Sequence, residues 1–203
     1  MEEVLVHQTQ AIRDFLCKTA VLERMNDKLC NDLTERSDSR ELLQKIEKSN
    51  LFLIPLDDKR EWYRYHHLFA DSIKAGLSVD EENGLNRKAA VWMKANGFSH
   101  EAVRYAFKSR DLQLAVKIVE DSCEEAFKYA QLDSLVGWME QIPDDMIRGS
   151  EALSVRKAVA YFATGRVNDA IHYLKTLDQE FEQNASHHNK GLLFVGKSSI
   201  SEG

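Results

Sequence analysis

The sequence predicts a mainly α protein in two parts, a compact head holding one β-hairpin and a stack of paired helices behind it. Three observations carry that prediction. The 203 residues include only two Pro and nine Gly, too few turn formers for an all-β chain of this length. Helical three-to-four periodicity gives way to alternation once, between Leu51 and Tyr65. The second half then resembles itself at a fixed spacing, which is the signature of stacked supersecondary units.

In the head, Ala11, Ile12, Phe15 and Leu16 form one apolar stripe and predict an amphipathic helix over His7 to Cys17. A second short helix is expected from Asn26 to Leu33. Ser37 or Ser39 is placed to cap a third, whose Leu42, Leu43 and Ile46 share a face and which yields near Asn50, a residue tolerant of left-handed geometry. Leu51 to Leu56 and Trp62 to Tyr65 read as strands on either side of the polar turn Asp57 to Glu61. Pro55 offers no ladder donor, which an open edge tolerates. A helix from about His67 to Lys74, closed by Gly76, completes the unit. Three helices, a hairpin and a final helix make a winged-helix domain over residues 1–77.

The polar, charged stretch Ser78 to Asn83 is expected as the boundary between modules. Beyond it, Ala90-Val91 through Asn96-Gly97 to Ala102-Val103-Arg104-Tyr105 lines up with Ala158-Val159 through Thr164-Gly165 to Ala170-Ile171-His172-Tyr173. Gly97 and Gly165 lie 68 apart, twice the roughly 34 residues of a tetratricopeptide repeat. The halfway register puts Val136 and Met139 on Ala102 and Tyr105. Small residues at fixed positions let paired helices approach, so TPR-like α-α superhelical repeats are expected over residues 78–183. Gly97 and Gly165 end the first helix of each pair, Ser99 and Asn168 stand where the second is capped, and Pro143 stops a helix carrying Leu135 and Trp138. Residues 184–203 continue no amphipathic pattern and are expected as a weakly ordered tail.

Charge and cysteine usage bound the function. The net charge is −6 and the pI about 5.7, and residues 1–77 hold 12 Lys and Arg against 14 Asp and Glu. Direct nucleic-acid binding is therefore not expected, because counterion release favours basic surfaces. Cys17, Cys30 and Cys123 show no paired spacing for zinc and read as buried thiols in a reducing cytoplasm. Acidic residues at Glu2, Glu3 and Asp14 and the absence of a long apolar run argue against secretion and membrane spanning.

The runs Phe15-Leu16-Cys17-Lys18-Thr19-Ala20-Val21-Leu22, Leu42 to Asp58 and Trp62-Tyr63-Arg64-Tyr65-His66-His67-Leu68-Phe69-Ala70-Asp71 closely resemble the large LuxR-type ATP-dependent transcription activators, the group typified by the maltose regulon activator. The resemblance runs from about residue 8 to about residue 180 and is strongest between Leu51 and Asp71. Such proteins are signal-transducing (STAND-class) ATPases built as nucleotide-binding domain, winged helix, superhelical repeats and C-terminal helix-turn-helix. The resemblance implies a central fragment: a non-catalytic signal-relay and protein-interaction segment, expected to lack the P-loop ATPase core and the helix-turn-helix. No cofactor is expected in this chain, while ADP or ATP is implied for the full-length family. The implied partner is the nucleotide-binding domain of the same regulator type, or another protein.

Tyr65-His66-His67-Leu68 with Asp71 is similar to the Met-His-Asp motif of related signalling ATPases, whose winged-helix His contacts the β-phosphate of ADP. The resemblance puts His66 at that contact in a full-length protein and His67 where the family has Asp. An imidazolium near a helix N-terminus adds positive charge facing a phosphate. The competing reading has both rings packing at the wing-to-helix junction, since adjacent helical residues diverge in direction. No catalytic or metal-ligating residue is assigned. Trp62, Tyr63 and Tyr65 beside Arg60 and Arg64 are expected as wing packing, Glu101 to Arg104 and Asp111 to Lys117 as solvated faces, and His187-His188 as part of the tail. Tyr105, Phe107, Phe127 and Tyr129 are candidates for a partner-binding face where exposed. The alternative function is a DNA-binding winged helix using Arg40, Lys45 and Lys48 on the helix Ser39 to Ser49.

Overall fold

The computed structural model describes residues 8–178, so the expected tail at 184–203 lies outside the described residues. The chain divides into two compact units, Met1–Ile118 and Val119–Gly203.

The first unit opens with α1 (Gln10–Thr19), whose N-cap Thr9 accepts from the Ile12 amide and whose Ile12, Phe15 and Leu16 are buried. Helix α2 (Asp27–Thr34) is capped by the Asn26 side chain at 2.8 Å from the Leu29 amide, and ends where Glu35 turns left-handed at φ 58°. Helix α3 (Ser39–Lys48) buries Leu42, Leu43 and Ile46. Neither serine caps it. Asp38 occupies the N-cap, but its carboxylate is turned to Arg36 at 2.7 and 2.6 Å, and the Ser39 amide is taken by Asn31 Oδ1 at 3.1 Å.

Strands β1 (Leu53–Pro55) and β2 (Tyr63–Tyr65) pair antiparallel, Pro55 opposite Tyr63. Tyr63 gives its amide to the Met25 carbonyl and takes the Met25 amide, both at 2.8 Å. The missing donor of Pro55 therefore costs no ladder bond, because β1 is the edge and β2 is held from the other side. Helix α4 (His67–Lys74) follows at once. It ends on Ala75 in right-handed geometry, and Gly76 is not among the positive-φ glycines, so the glycine is not what closes the helix.

Residues 78–83 are the start of a helix rather than a linker. Ser78 and Glu81 form a reciprocal capping box that opens α5 (Val79–Ala95), and the acidic cluster is the first turn favoured at a helix N-terminus. Helix α5 packs antiparallel on α6 (Ser99–Lys108) and also against α2, so the head and the first helix pair share one compact unit. Ser99 begins α6 at its first helical position, after the N-cap residue Phe98.

The chain reaches the second unit within α7 (Leu112–Lys128), followed by α8 (Leu132–Met139), α9 (Asp144–Arg148), α10 (Glu151–Ala163) and α11 over residues 167–178. Asn168 lies inside α11. Cys123, Leu135, Met139, Ile147, Leu153, Ala160 and Ala170 form its core, and α10 packs on both α8 and α9. Lys157, 4% exposed, places its ammonium 2.7 Å from Asp144 and over the Tyr173 ring.

Three turns share one geometry. Gly97 (φ 81°) is followed by a Phe98 amide bonded to the Met93 carbonyl, and Gly165 (φ 77°) by an Arg166 amide bonded to Tyr161. Between them Ala130 (φ 54°) is followed by Gln131 bonded to Ala126. Each is a left-handed helix terminus with the six-to-one bond of the Schellman motif. Counting from each turn brings Ala102 and Tyr105, Leu135 and Trp138, and Ala170 and Tyr173 to matching places, all buried. The middle register is thus Leu135 and Trp138, one residue before the Val136 and Met139 given by equal spacing, because the middle turn falls at Ala130.

Candidate functional site

His66 is the N-cap of α4, extended at φ −60° and ψ 133°, with its side chain making no cap bond. Its amide donates to the Phe52 carbonyl at 2.8 Å, which pins the loop before β1 to the start of α4. His66 is half-buried and His67 exposed. Their rings stack 4.5 Å apart at 28°. The sequence expectation that adjacent residues diverge does not hold here, because His66 precedes the helix and its extended backbone turns the ring towards its neighbour. Around the pair, Leu68 is 60% exposed and Phe52 47%, with the Phe52 ring 5.1 Å from buried Phe69. Phe52 itself sits at φ 53°, a left-handed conformation that a bulky side chain rarely adopts. Asp71, one turn into the helix, is held below the usual carboxylate range by its hydrogen bond to Lys74.

The aromatics of the hairpin are packing residues. Tyr63 and Tyr65 are 3% and 4% exposed, and the Tyr65 hydroxyl meets Thr19 Oγ1 at 2.8 Å. Burial pushes the Tyr65 hydroxyl far up. Trp62 has a partner that sequence reasoning missed: the Arg24 guanidinium lies 4.4 Å from its ring and 4.9 Å from that of Phe98, while bonding Glu101. Arg24 carries no motif; only the fold brings strand and helix pair to it.

Glu101 and Arg104 are accordingly more than solvated residues. Arg104 and Lys108 both bind Glu23, at 2.9 and 2.8 Å, and the Glu23 amide donates to the buried Tyr105 hydroxyl at 2.8 Å. Asp111 pairs with Arg87 and caps the Leu114 amide. Of the candidate partner-face aromatics, Tyr105 is buried, Phe107 and Phe127 are half-buried, and Tyr129 is 59% exposed. Cys30 and Cys123 are buried as expected, whereas Cys17 is only half-buried. On α3, Arg40, Lys45 and Lys48 are all exposed.

Two further points concern metal and nucleotide. No group of His, Cys, Asp and Glu suited to a metal ion occurs among the described residues, and His187-His188 lies outside them. The expectation of a chain without a phosphate-loop sequence needs correction: Gly191-Leu192-Leu193-Phe194-Val195-Gly196-Lys197-Ser198 has the G-x-x-x-x-G-K-S spacing. It also lies outside the described residues. The spacing alone is weak, since the motif works when it follows an apolar strand, and Asn184 to Lys190 is polar.

Three helices, a short hairpin and a helix opened by His66 define a winged-helix head, here with helix pairs after it. Residues 1–84 match the MalT winged helix domain family. The sequence is 29% identical over 187 residues to the HTH-type transcriptional regulator MalT of Vibrio campbellii, covering 90% of this chain and 21% of the relative. It is 28% identical over 173 residues to MalT of Vibrio cholerae, covering 83% and 19%. It is also 29% identical over 177 residues to the serine/threonine-protein kinase PknK of Mycobacterium tuberculosis strain H37Rv, covering 82% and 16%. The chain spans about a fifth of the length of these relatives and corresponds in sequence to a segment of a large MalT-like regulator. No helix among the described residues is long and apolar enough to cross a membrane.

Proposed function

We propose that this chain is a non-catalytic signal-relay and protein-interaction segment of a LuxR-type, MalT-like transcription regulator, acting in the cytoplasm. The winged helix docks a nucleotide-binding domain, and the helix pairs, TPR-like in register, take up the inducer or partner signal. The observation that carries this reading is the surface at the start of α4: stacked His66 and His67 beside exposed Phe52 and Leu68. Exposed apolar side chains around a polar pair suit a protein interface. In this reading His66, at a helix N-terminus, faces a phosphate held by the docked domain. In this reading ADP or ATP belongs to the partner domain and this chain binds neither alone.

The test is binding of this chain to a separately expressed MalT-type ATPase domain, with and without ADP. Binding strengthened by ADP, and weakened about tenfold by His66→Ala only when ADP is present, is the expected result. No interaction under either condition would refute it. A second reading, direct DNA binding, is favoured by exposed Arg40, Lys45 and Lys48 on α3 and opposed by the net charge of −6. A mobility shift on duplex DNA that weakens steeply with salt would establish it.

A further inference from the structure

We propose that the groove between the start of α2, the start of α3 and the turn of the hairpin is a binding site for a small organic phosphate. Its volume, about 420 Å³, falls in the range of small-ligand sites. Buried Leu43 and Tyr63 and half-buried Trp62 line its inner wall. Lys28, Arg40 and Lys59 stand around it, all exposed, and none has an ion-pair partner among the described residues. Arg60, also on the wall, is held by Glu47 at 2.9 Å.

Charge and hydrogen-bonding capacity narrow the ligand. Asp27 and Glu61 share the rim, but the Asp27 carboxylate already accepts from the Lys28 amide at 2.9 Å. Lys28, Arg40 and Lys59 outnumber the rim carboxylates Asp27 and Glu61, and Arg40 supplies a planar fork that fits a phosphate. Tyr63 lines the groove, and its hydroxyl makes no hydrogen bond among the described residues. That hydroxyl can pair with a ligand hydroxyl or ring nitrogen. With the Gln44 amide beside it, the wall offers polar partners to a sugar or nucleoside body, and the Trp62 indole offers an apolar surface. An extended duplex is disfavoured: the site is concave, and Asp27, Glu61 and the net charge of −6 repel a polyphosphate.

The experiment titrates the full chain with inorganic phosphate, AMP and glucose 6-phosphate, with adenosine and glucose as neutral controls, followed by amide chemical shifts and calorimetry. AMP or glucose 6-phosphate is expected to saturate, with shifts centred on Arg40, Lys59 and Trp62, and the neutral controls are expected not to bind. AMP against glucose 6-phosphate separates a nucleoside from a sugar body. The exposed double variant Arg40→Glu with Lys59→Glu, checked for an unchanged melting curve, should lose at least about tenfold in affinity. Tyr63→Phe should weaken the organic phosphates and leave inorganic phosphate unaffected. Absence of saturable binding by any of the three phosphates overturns the proposal, as does binding that survives the double variant. So does duplex DNA binding through Arg40 with no response to the small phosphates.

Discussion

Replacing single glycines and one alanine tests the repeat architecture directly, because the sign of each effect is set by backbone conformation alone. Gly97 and Gly165 lie at φ 81° and 77°, and a Cβ built on either meets no atom within 4 Å. Alanine there pays only the left-handed cost of an L-residue, about 1–2 kcal/mol, partly offset by roughly 0.4–1 kcal/mol from a stiffer unfolded chain. Each of Gly97→Ala and Gly165→Ala should therefore destabilise by about 1 kcal/mol. Gly84 in α5 and Gly137 in α8 are equally free of steric contact but helical, so alanine should stabilise each by about 1 kcal/mol. At the middle turn the logic reverses again. Ala130 already sits at φ 54°, and Ala130→Gly should stabilise by up to about 1 kcal/mol. Urea unfolding followed by far-ultraviolet circular dichroism reads all five shifts. Stabilisation by Gly97→Ala, or destabilisation by Ala130→Gly, would refute the equivalence of the three turns.

Burial holds the Tyr105 hydroxyl up to about 12, against an ordinary value of 10.0, and pushes Tyr65 higher still. A proton bound more tightly in the folded chain gives stability that is whole below pH 10 and is lost as pH rises towards 12; ultraviolet titration should show these two phenols ionising only as the helical signal falls. Burial also raises the Cys30 thiol strongly and Cys17, half-buried, less completely, so an aromatic disulfide reagent should label Cys17 first and Cys30 only on unfolding. Lys197→Ala should leave ATP binding and hydrolysis by the chain unchanged from background, measured by phosphate release; a hydrolysis rate that falls in the variant would make Gly191 to Ser198 a working phosphate loop.

The parts of the fold legible in the sequence are those governed by local rules. The stripe Ile12, Phe15 and Leu16, the alternation of Tyr63-Arg64-Tyr65 and the glycines at 97 and 165 each name their own conformation. What stayed hidden depends on neighbours remote in sequence. Asp38 takes the cap of α3 without bonding it because Arg36 claims its carboxylate. The middle turn falls on Ala130 because alanine there gives no left-handed signal, and equal spacing then misplaces Leu135 by one residue. Arg24 is unremarkable as a sequence position and becomes the contact of Trp62, Phe98 and Glu101 only when three elements meet. At the candidate site, the identity of His66 was readable but its stacking on His67 was not, since that follows from His66 being the last extended residue before α4.

The division at Ile118 changes what a relay would require. A boundary at Ser78 alone describes where one architecture replaces another, yet the contacts there join more than they separate. Tyr105 receives the Glu23 amide, Glu101 binds Arg24, and Lys88 binds Glu35, so α5 and α6 are held to the head by side chains from α6 and α5 alike. Each exposed ion pair is worth little by itself, but the buried Tyr105 hydroxyl and the half-buried Arg24 guanidinium over the Trp62 and Phe98 rings add contacts of greater value. The first helix pair is then mechanically part of the unit that carries His66. A ligand or partner that shifts α6 acts on Trp62 through Arg24, and Trp62 lies directly before β2, four residues before His66. Spatial contiguity is the necessary condition for coupling between the pair and the wing, and the first unit meets it through named contacts rather than through a flexible joint.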